Sequence, residues 1–324
     1  MNEWHLIETL AGDTPTVVST GGVVKAWSSL SRLAPALTAD VVALIAEVQR
    51  SRRRAVRLAS SRKGRFRLEA FPVLGPSGDV HGIQLWIGEQ GTPVAAPRIA
   101  SGISWLLHRL VIAQTLEASM MSGVLPADHV PERTVAEYYA KAVKFDESES
   151  LFALALAPEH GRQWDADMSV LHADGRIMRW HCWGRGRTDG DDTGIRLLWH
   201  DVTDTEAPRK PTPAELGMQE SMRTVGVYTA IVMTGPAVPA MWLPDAPPWV
   251  RWRNATGGNK VIHPDDHCLL HRAQEKFDAG DPTPVDVVAR LSAGEDRWTA
   301  SKVRILPYPG ALSDRLAIVQ VSEL

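Results

Sequence analysis

The feature that most constrains the fold is a unit that recurs three times along the 324 residues: helical segments followed by closely spaced β-prone runs. Residues 66–74 and 82–88 form two such runs around the turn-rich residues 76–79. Three runs follow one another in residues 167–204, and three more in residues 286–324. The connections are too short for parallel crossovers, so each group predicts an antiparallel meander.

Helical patterns precede each meander. Residues 38–59 predict a helix with Thr38 as its N-cap, and its apolar stripe comprises Val41, Leu44, Ile45 and Val48. In the middle of the chain, residues 101–121 predict a long helix and residues 131–143 another. Near the C-terminus, residues 264–280 predict a helix that begins with a proline and ends at a glycine.

Two linker-like stretches divide these units. Residues 88–98 and 205–214 are rich in Pro, Gly, Thr and Ala, and each follows an apolar run. The sequence therefore predicts three modules, residues 1–95, 96–207 and 208–324. Each is expected to be an antiparallel sheet flanked by helices, which is an α+β fold.

Charge and composition narrow the classes of function. A formal net charge of -3 argues against a protein that coats nucleic acid or an anionic membrane. Two cysteines are too few for a disulfide framework and fit a reducing compartment. The N-terminus has no secretory h-region, and no stretch is apolar enough to span a membrane. We therefore expect a cytoplasmic protein without a membrane partner.

The closing strands of the middle segment resemble those of PAS domains. The resemblance is carried by VLHADGRIMRWHCWGRG (170–186), by IRLLWHDVTD (195–204), and by its last four residues, which match the PAS exit motif. In the third segment, residues 262–266 (IHPDD) match the usual PAS helix opening. The terminal VQVSEL departs from the exit motif, so onward coupling through a C-terminal helix is not implied.

The whole layout resembles the actinobacterial triple sensor-domain proteins, in which PAS, GAF and PAS modules follow one another without an output domain. This resemblance implies a GAF module in the middle, whereas the residues of the middle meander favour PAS. The first segment suits either type. Both assignments stay open for these two segments.

The best pocket candidates lie on the middle meander. Because side chains alternate along a strand, Trp180 and Cys182 should face one way and His181 and Trp183 the other. PAS and GAF modules hold small molecules between sheet and helices, so the pair that points inward, together with Trp199, is expected to line a ligand pocket. The alternative is ordinary core packing.

A second constellation is His263, His267 and His271, whose spacing of four residues would place them on one helix face. Pro264 opens this helix, so His263 lies at or before the cap. The acid of a zincin motif is also lacking. A structural role is therefore favoured over a metal or haem ligand, and the sequence identifies no cofactor.

Together these features predict a non-enzymatic sensor or adaptor. It would bind a small ligand, a protein, or both, and would act on a separate effector in trans; homodimerisation through the predicted 101–121 helix is a further expectation. The motifs of common nucleotide-binding and hydrolytic sites are absent from the sequence. The alternatives are a pure protein scaffold with filled pockets and a metal-dependent enzyme that uses the three histidines.

Overall fold

The computed structural model describes residues 2–12, 14–190, 193–253, 261–294 and 297–324. Within these residues the strands form three antiparallel sheets with helices packed against them. The α+β architecture predicted from the sequence is therefore confirmed. None of the helices in the described ranges is long and apolar enough to cross a membrane.

The first sheet comes from the N-terminal third of the chain. It consists of β1 (Glu3–Glu8), β2 (Thr16–Thr20), β3 (Val23–Ser29), β4 (Ala55–Ser61), β5 (Gly64–Leu74) and β6 (Val80–Glu89), in the order β3-β2-β1-β6-β5-β4. Helix α1 (Thr38–Ser51) packs against one face and buries the predicted stripe, Val41, Leu44, Ile45 and Val48.

The second sheet occupies the middle of the chain. It consists of β7 (Ala100–Leu106), β8 (Val111–Gln114), β9 (Glu132–Thr134), β10 (Ala142–Lys144), β11 (Gln163–Leu171), β12 (Ile177–Arg187) and β13 (Gly194–Asp201), in the order β10-β11-β12-β13-β7-β8-β9. Its helices are α2 (Leu116–Met121), α3 (Val135–Tyr139) and α4 (Ser148–Leu156).

The third sheet follows helix α5 (Pro213–Thr224), which buries none of its residues. It consists of β14 (Tyr228–Met233), β15 (Val238–Leu243), β16 (Val285–Gly294), β17 (Arg297–Pro307) and β18 (Leu316–Glu323), in the order β15-β14-β18-β17-β16. Helix α6 (His267–Asp278) covers one face through Leu270 and Ala273.

The three sheets share the topology of a five-strand core, to which β3 is added in the first sheet and β9 and β10 in the second. The meanders β11-β12-β13 and β16-β17-β18 and the β5-β6 pair are antiparallel, as predicted. β4 also pairs antiparallel with β5, but it contains residues 55–59, where the sequence predicted the end of a helix that in fact stops at Ser51. The closing strand of each meander returns to pair with the opening strand of its own unit, β6 with β1, β13 with β7 and β18 with β14. In the middle of each sheet, the first strand of a sequence unit therefore pairs with the last strand of the same unit.

The long helix predicted over residues 101–121 is wrong. Residues 100–114 form the β7–β8 hairpin, and only Leu116–Met121 is helical. Ile103 and Trp105 are buried beneath the helices, while Gly102 lies against the backbone of the first sheet on the other side. A strand buried on both faces loses the polar alternation that marks a strand, so its apolar run looked helical. The homodimer seam predicted for this helix therefore lacks the element on which it was based.

Two further helix predictions need correction. Thr38 is the first residue of α1 rather than its N-cap, and its hydroxyl donates to the Ala34 carbonyl oxygen at 3.2 Å. Residues 131–143 contain only the short α3, between β9 and β10. α3 begins with a capping box in which Thr134 and Glu137 bond each other's backbone N–H groups.

The sheets are joined by two different contacts. Trp183 and Leu198 of the second sheet pack against Leu6, Val18 and Val73 of the first. On the helical side, Met233, Ala240 and Leu316 of the third sheet belong to the same apolar cluster as Val135 and Phe152 of α3 and α4. The second sheet and its helices therefore lie between the other two sheets.

Candidate functional site

Strand β12 presents different chemistry on its two faces. Trp180 and Cys182 are buried in the cluster under α3 and α4, where Trp199 of β13 joins them. Trp183 is fully buried on the opposite face, against the first sheet, and its ring lies 4.5 Å from that of His181. The inward pair is thus Trp180 and Cys182, while His181 and Trp183 belong to the contact between sheets.

Two small cavities lie beside these inward residues. The polar cavity measures about 30 Å³ and is lined by Gln114, Ala118, Ser119, Ser122, Val124, Arg133, Glu137, Tyr138, Lys141, Met168, Val170, Trp180 and Trp199. The aromatic cavity also measures about 30 Å³ and is lined by Trp105, Ile112, Tyr138, Tyr139, Phe145, Leu151, Trp164, Met168, Cys182, Leu197 and Trp199. Each has room for about two water molecules.

The two cavities share walls made by Tyr138, Met168 and Trp199. The Tyr138 ring meets the Trp199 ring edge-on at 5.5 Å, and Trp199 lies 5.1 Å from Trp180. The Tyr138 hydroxyl donates to Gln114 Oε1 at 2.5 Å, which fixes the ring at the boundary. A change in the rotamer of Met168 or Trp199 would therefore alter both cavities together.

One side of the polar cavity carries charge. Lys141 Nζ donates to Ser122 Oγ at 2.9 Å, and Arg133 Nη1 lies 3.4 Å from Glu137 Oε1. Partial burial lowers the pKa of Lys141, and the nearby Arg133 charge lowers it further. Burial raises the pKa of Tyr138, so this phenol stays protonated and remains a hydrogen-bond donor.

Several buried donors at the cavities have no acceptor among the described residues. Among the residues that line the polar cavity this is the Trp180 indole N–H, on a residue that is 2% exposed. Among those that line the aromatic cavity they are the Trp105 indole N–H and the Tyr139 hydroxyl. A buried donor without a partner costs about 1–3 kcal/mol, and these three atoms lie within the packed walls, where water does not reach them.

His181, on the opposite face, is held by two carboxylates. Its Nδ1 lies 2.7 Å from Asp167 Oδ1, and its Nε2 lies 3.4 Å from Asp165 Oδ2. Burial by itself would lower the pKa of His181, but the two aspartates outweigh it and the pKa is raised. This cluster joins the first two sheets, because Trp27 of β3 donates to Asp165 at 3.1 Å.

The three C-terminal histidines are held apart by separate partners. His263 Nδ1 accepts from the Asp265 backbone N–H at 3.2 Å, so it caps the turn before α6. His267 Nε2 lies 3.2 Å from the Ile262 carbonyl oxygen, and His271 Nε2 lies 3.0 Å from that of Gly235. Among the residues that the structure describes, no cluster of three His, Cys, Asp or Glu side chains suits a metal ion.

Lys141, Arg133, Ser119 and Ser122 were not identified from the sequence. Their only local signal is the Thr134-x-x-Glu137 capping box, which marks the start of α3 and so places Arg133 just before a helix. Lys141 and Ser122 are brought together by tertiary contacts across 19 residues. No local pattern in the sequence encodes that approach.

Comparisons with known proteins found one matching family model and several similar solved structures. Residues 3–96 match the family described as Rv3651-like, N-terminal. The crystal structure of an uncharacterized protein from Mycobacterium tuberculosis matches with a TM-score of 0.82 at 21% identity, and the match covers 100% of this chain and 97% of that chain. The two proteins therefore share an overall fold. No curated protein matches the chain.

Solved sensory proteins match more weakly. A sensory box histidine kinase/response regulator from Burkholderia thailandensis E264 has 16% identity and a TM-score of 0.27, with 40% of this chain and 91% of that chain covered. An RNA-binding light-oxygen-voltage receptor has 9% identity and a TM-score of 0.27, with 68% and 94% covered. Both scores are too low to support an inference about this chain.

Proposed function

We propose that this chain is a non-enzymatic sensor or adaptor built from three PAS- or GAF-type modules, residues 1–95, 96–207 and 208–324. The middle module would hold a small ligand in the polar and aromatic cavities, and the third module would transmit the change to a separate effector protein. The common topology of the three sheets supports a repeated sensor unit. The unpaired thiols of Cys182 and Cys268 fit the reducing cytoplasm.

The observation that carries this proposal is the position of α3. Tyr138 of α3 lines both cavities, and the same short helix packs against β15 of the third sheet. Beyond it, the Glu149 carboxylate of α4 accepts from the Ala311 N–H at 2.7 Å, and Arg315 donates to the Leu156 carbonyl oxygen at 2.6 Å. A ligand that moves α3 must therefore also change the contacts between the third sheet and the middle unit.

The test combines native mass spectrometry with hydrogen exchange. Mass spectrometry of the gently purified chain should show a bound small molecule, and its removal should speed amide exchange in α3 and in β15 together. Exchange in β4 should stay the same, because that strand lies at the far edge of the first sheet. A change confined to α3, with β15 unaffected, would contradict the relay.

A scaffold with filled pockets is the second candidate function. It is favoured by the size of the cavities, each about 30 Å³, and by the four tryptophans that line them, Trp105, Trp164, Trp180 and Trp199. A chain that carries no small molecule and yet retains a defined protein partner would support this alternative. Homodimerisation also stays a prediction, without the long 101–121 helix on which it was first based.

A further inference from the structure

We propose that the polar cavity binds a small carboxylate anion, with its carboxylate beside Lys141 and Ser122 and its short apolar chain against Trp180 and Trp199. This inference rests on the proposed function in one respect only, that the cavity takes a ligand. It adds the chemical class of that ligand.

The charge balance of the cavity wall favours an anion. Two cations, Lys141 and Arg133, and one carboxylate, Glu137, line the cavity. Glu137 is already occupied, since Oε2 accepts from the Thr134 N–H at 2.9 Å and from its hydroxyl at 3.2 Å, and Oε1 faces Arg133. Lys141 contacts a neutral hydroxyl, and no carboxylate in the described part of the chain pairs with it. The wall therefore carries one uncompensated positive charge.

The hydrogen-bonding groups point to the same class. The Lys141 ammonium and the Arg133 guanidinium, which both line the cavity, can only donate hydrogen bonds. A carboxylate has two oxygens and no donor, so it suits a wall whose cationic groups only donate. A neutral amide offers a single oxygen, and an alcohol brings a hydroxyl proton that no carboxylate here is free to accept.

The size and polarity of the polar cavity determine which group can be attached to the carboxylate. The cavity is small, about 30 Å³, and its floor is made by the indole rings of Trp180 and Trp199. Lys141 and Arg133 are half-buried and mark the side open to solvent. A carboxylate with a short alkyl chain directed inward suits both parts. Because the cavity holds about two water molecules, a three-carbon chain enters only if Met168 or Trp199, which separate the two cavities, changes rotamer, whereas a nucleotide-sized ligand would require the helices to separate.

The experiment is calorimetric titration of the full chain with butyrate and with its neutral isostere butyramide. We expect butyrate to bind at millimolar or lower concentration, and butyramide to bind at least about tenfold more weakly, because it cannot pair with the ammonium. Lys141→Met should weaken butyrate binding about 10–100-fold, the range typical for loss of a charge-assisted hydrogen bond. Lys141→Arg should restore part of the loss.

Lys63→Met is the matched control, because Lys63 is exposed in the turn between β4 and β5, and it should bind butyrate as the wild type does. Lys141→Gln keeps a polar group but removes the charge, so it tests the site if Lys141→Met does not fold, and it should also weaken butyrate binding. The proposal is overturned if butyrate fails to bind, if butyramide binds equally well, or if the folded Lys141→Met chain retains full affinity. Binding that depends on Lys141 but leaves exchange in β15 unchanged would refute the relay alone.

Discussion

Among single residues, Glu8 and Arg185 determine how the first two sheets meet. The Glu8 side chain is 0% exposed and that of Arg185 is 7% exposed, and their closest oxygen and nitrogen lie 2.6 Å apart. Arg185 approaches both carboxylate oxygens, which also accept from the Leu10 N–H and the Thr16 hydroxyl. A buried ion pair whose hydrogen bonds are all made adds little net stability, because desolvation offsets the attraction. Loss of one partner, however, leaves the other charge buried and unpaired, which is strongly destabilising.

We therefore expect Glu8→Gln to lower the free energy of unfolding by about 3–5 kcal/mol, measured by urea denaturation. Glu159→Gln is the matched control, because Glu159 pairs with Arg162 at the surface, where the two side chains are 69% and 54% exposed. This control should change stability by no more than about 0.5 kcal/mol. Equal losses in the two variants would show that burial of the first pair has no energetic consequence.

His200 gives stability a pH dependence. Burial lowers its pKa from 6.5 to about 3, helped by the charges of Arg98 and His181. Below pH 6.5 the unfolded chain takes up a proton at this position while the folded chain does not, so stability is complete above pH 6.5 and falls as the pH drops toward 3. His5, with a pKa lowered to about 4 by burial, acts in the same direction.

The expected contribution of His200 is a loss of about 2 kcal/mol between neutral pH and pH 5, at about 1.4 kcal/mol per pH unit. His200→Gln should remove that part of the slope in unfolding experiments at both pH values. His108→Gln, in the exposed turn after β7, controls for the loss of one imidazole and should retain the slope. His181 has a raised pKa and contributes with the opposite sign, so it does not mimic the effect.

At the scale of elements, β7 shows how closely two units are joined. A Cβ added to Gly102 would lie 2.5 Å from the carbonyl oxygen of Leu74, the last residue of β5, and 2.9 Å from the Cα of Gly75, which follows it. Both are backbone atoms and cannot move aside without a shift of the chain at the end of β5. Gly102→Ala should therefore lower the free energy of unfolding by about 1–3 kcal/mol.

Gly217→Ala in α5 provides a control with the opposite sign. Gly217 lies in an exposed helix, and an added Cβ would meet no atom within 4 Å. Replacement of a helical glycine by alanine stabilises by roughly 0.5–1 kcal/mol. Thermal unfolding of the two variants should therefore shift in opposite directions, and parallel shifts would contradict close packing at Gly102.

The sequence predicted elements that either have two different faces or are bounded by clear turn residues. The stripe of α1 and strands β5 and β16 show alternating polar and apolar positions at their proper periods, whereas β12 and β13, buried on both faces, were identified by the turn residues that bound them. β7 could not be identified, since Ile103 faces the helices and Gly102 faces the first sheet. Likewise, strand alternation correctly separated Trp180 from His181, but Lys141 reaches the cavity only through tertiary folding.

For the whole molecule, the central question is what holds the third sheet against the middle unit. The described contacts combine a few polar links with an apolar seam, in which Met233 and Ala240 are 0% exposed. Ala240 of β15 packs in the cluster that contains α3, so the seam adjoins the cavity wall. If the third module responds to a ligand in the cavity, the contacts in this seam must be able to change while the sheets on both sides stay folded.

Ala240→Glu tests that view by placing an unpaired carboxylate in the seam. The buried charge costs several kcal/mol, which should release the third sheet while the first two sheets stay paired through Glu8 and Arg185. Limited proteolysis should then cleave within residues 205–214 and leave a folded N-terminal fragment. Val288→Glu is the control, because Val288 is 57% exposed on β16 of the same sheet and should leave the chain resistant. A relay needs two parts that can change their mutual contacts while each stays folded. If all three sheets of Ala240→Glu unfold together, the third sheet and the middle unit form one cooperative unit, and the relay is contradicted.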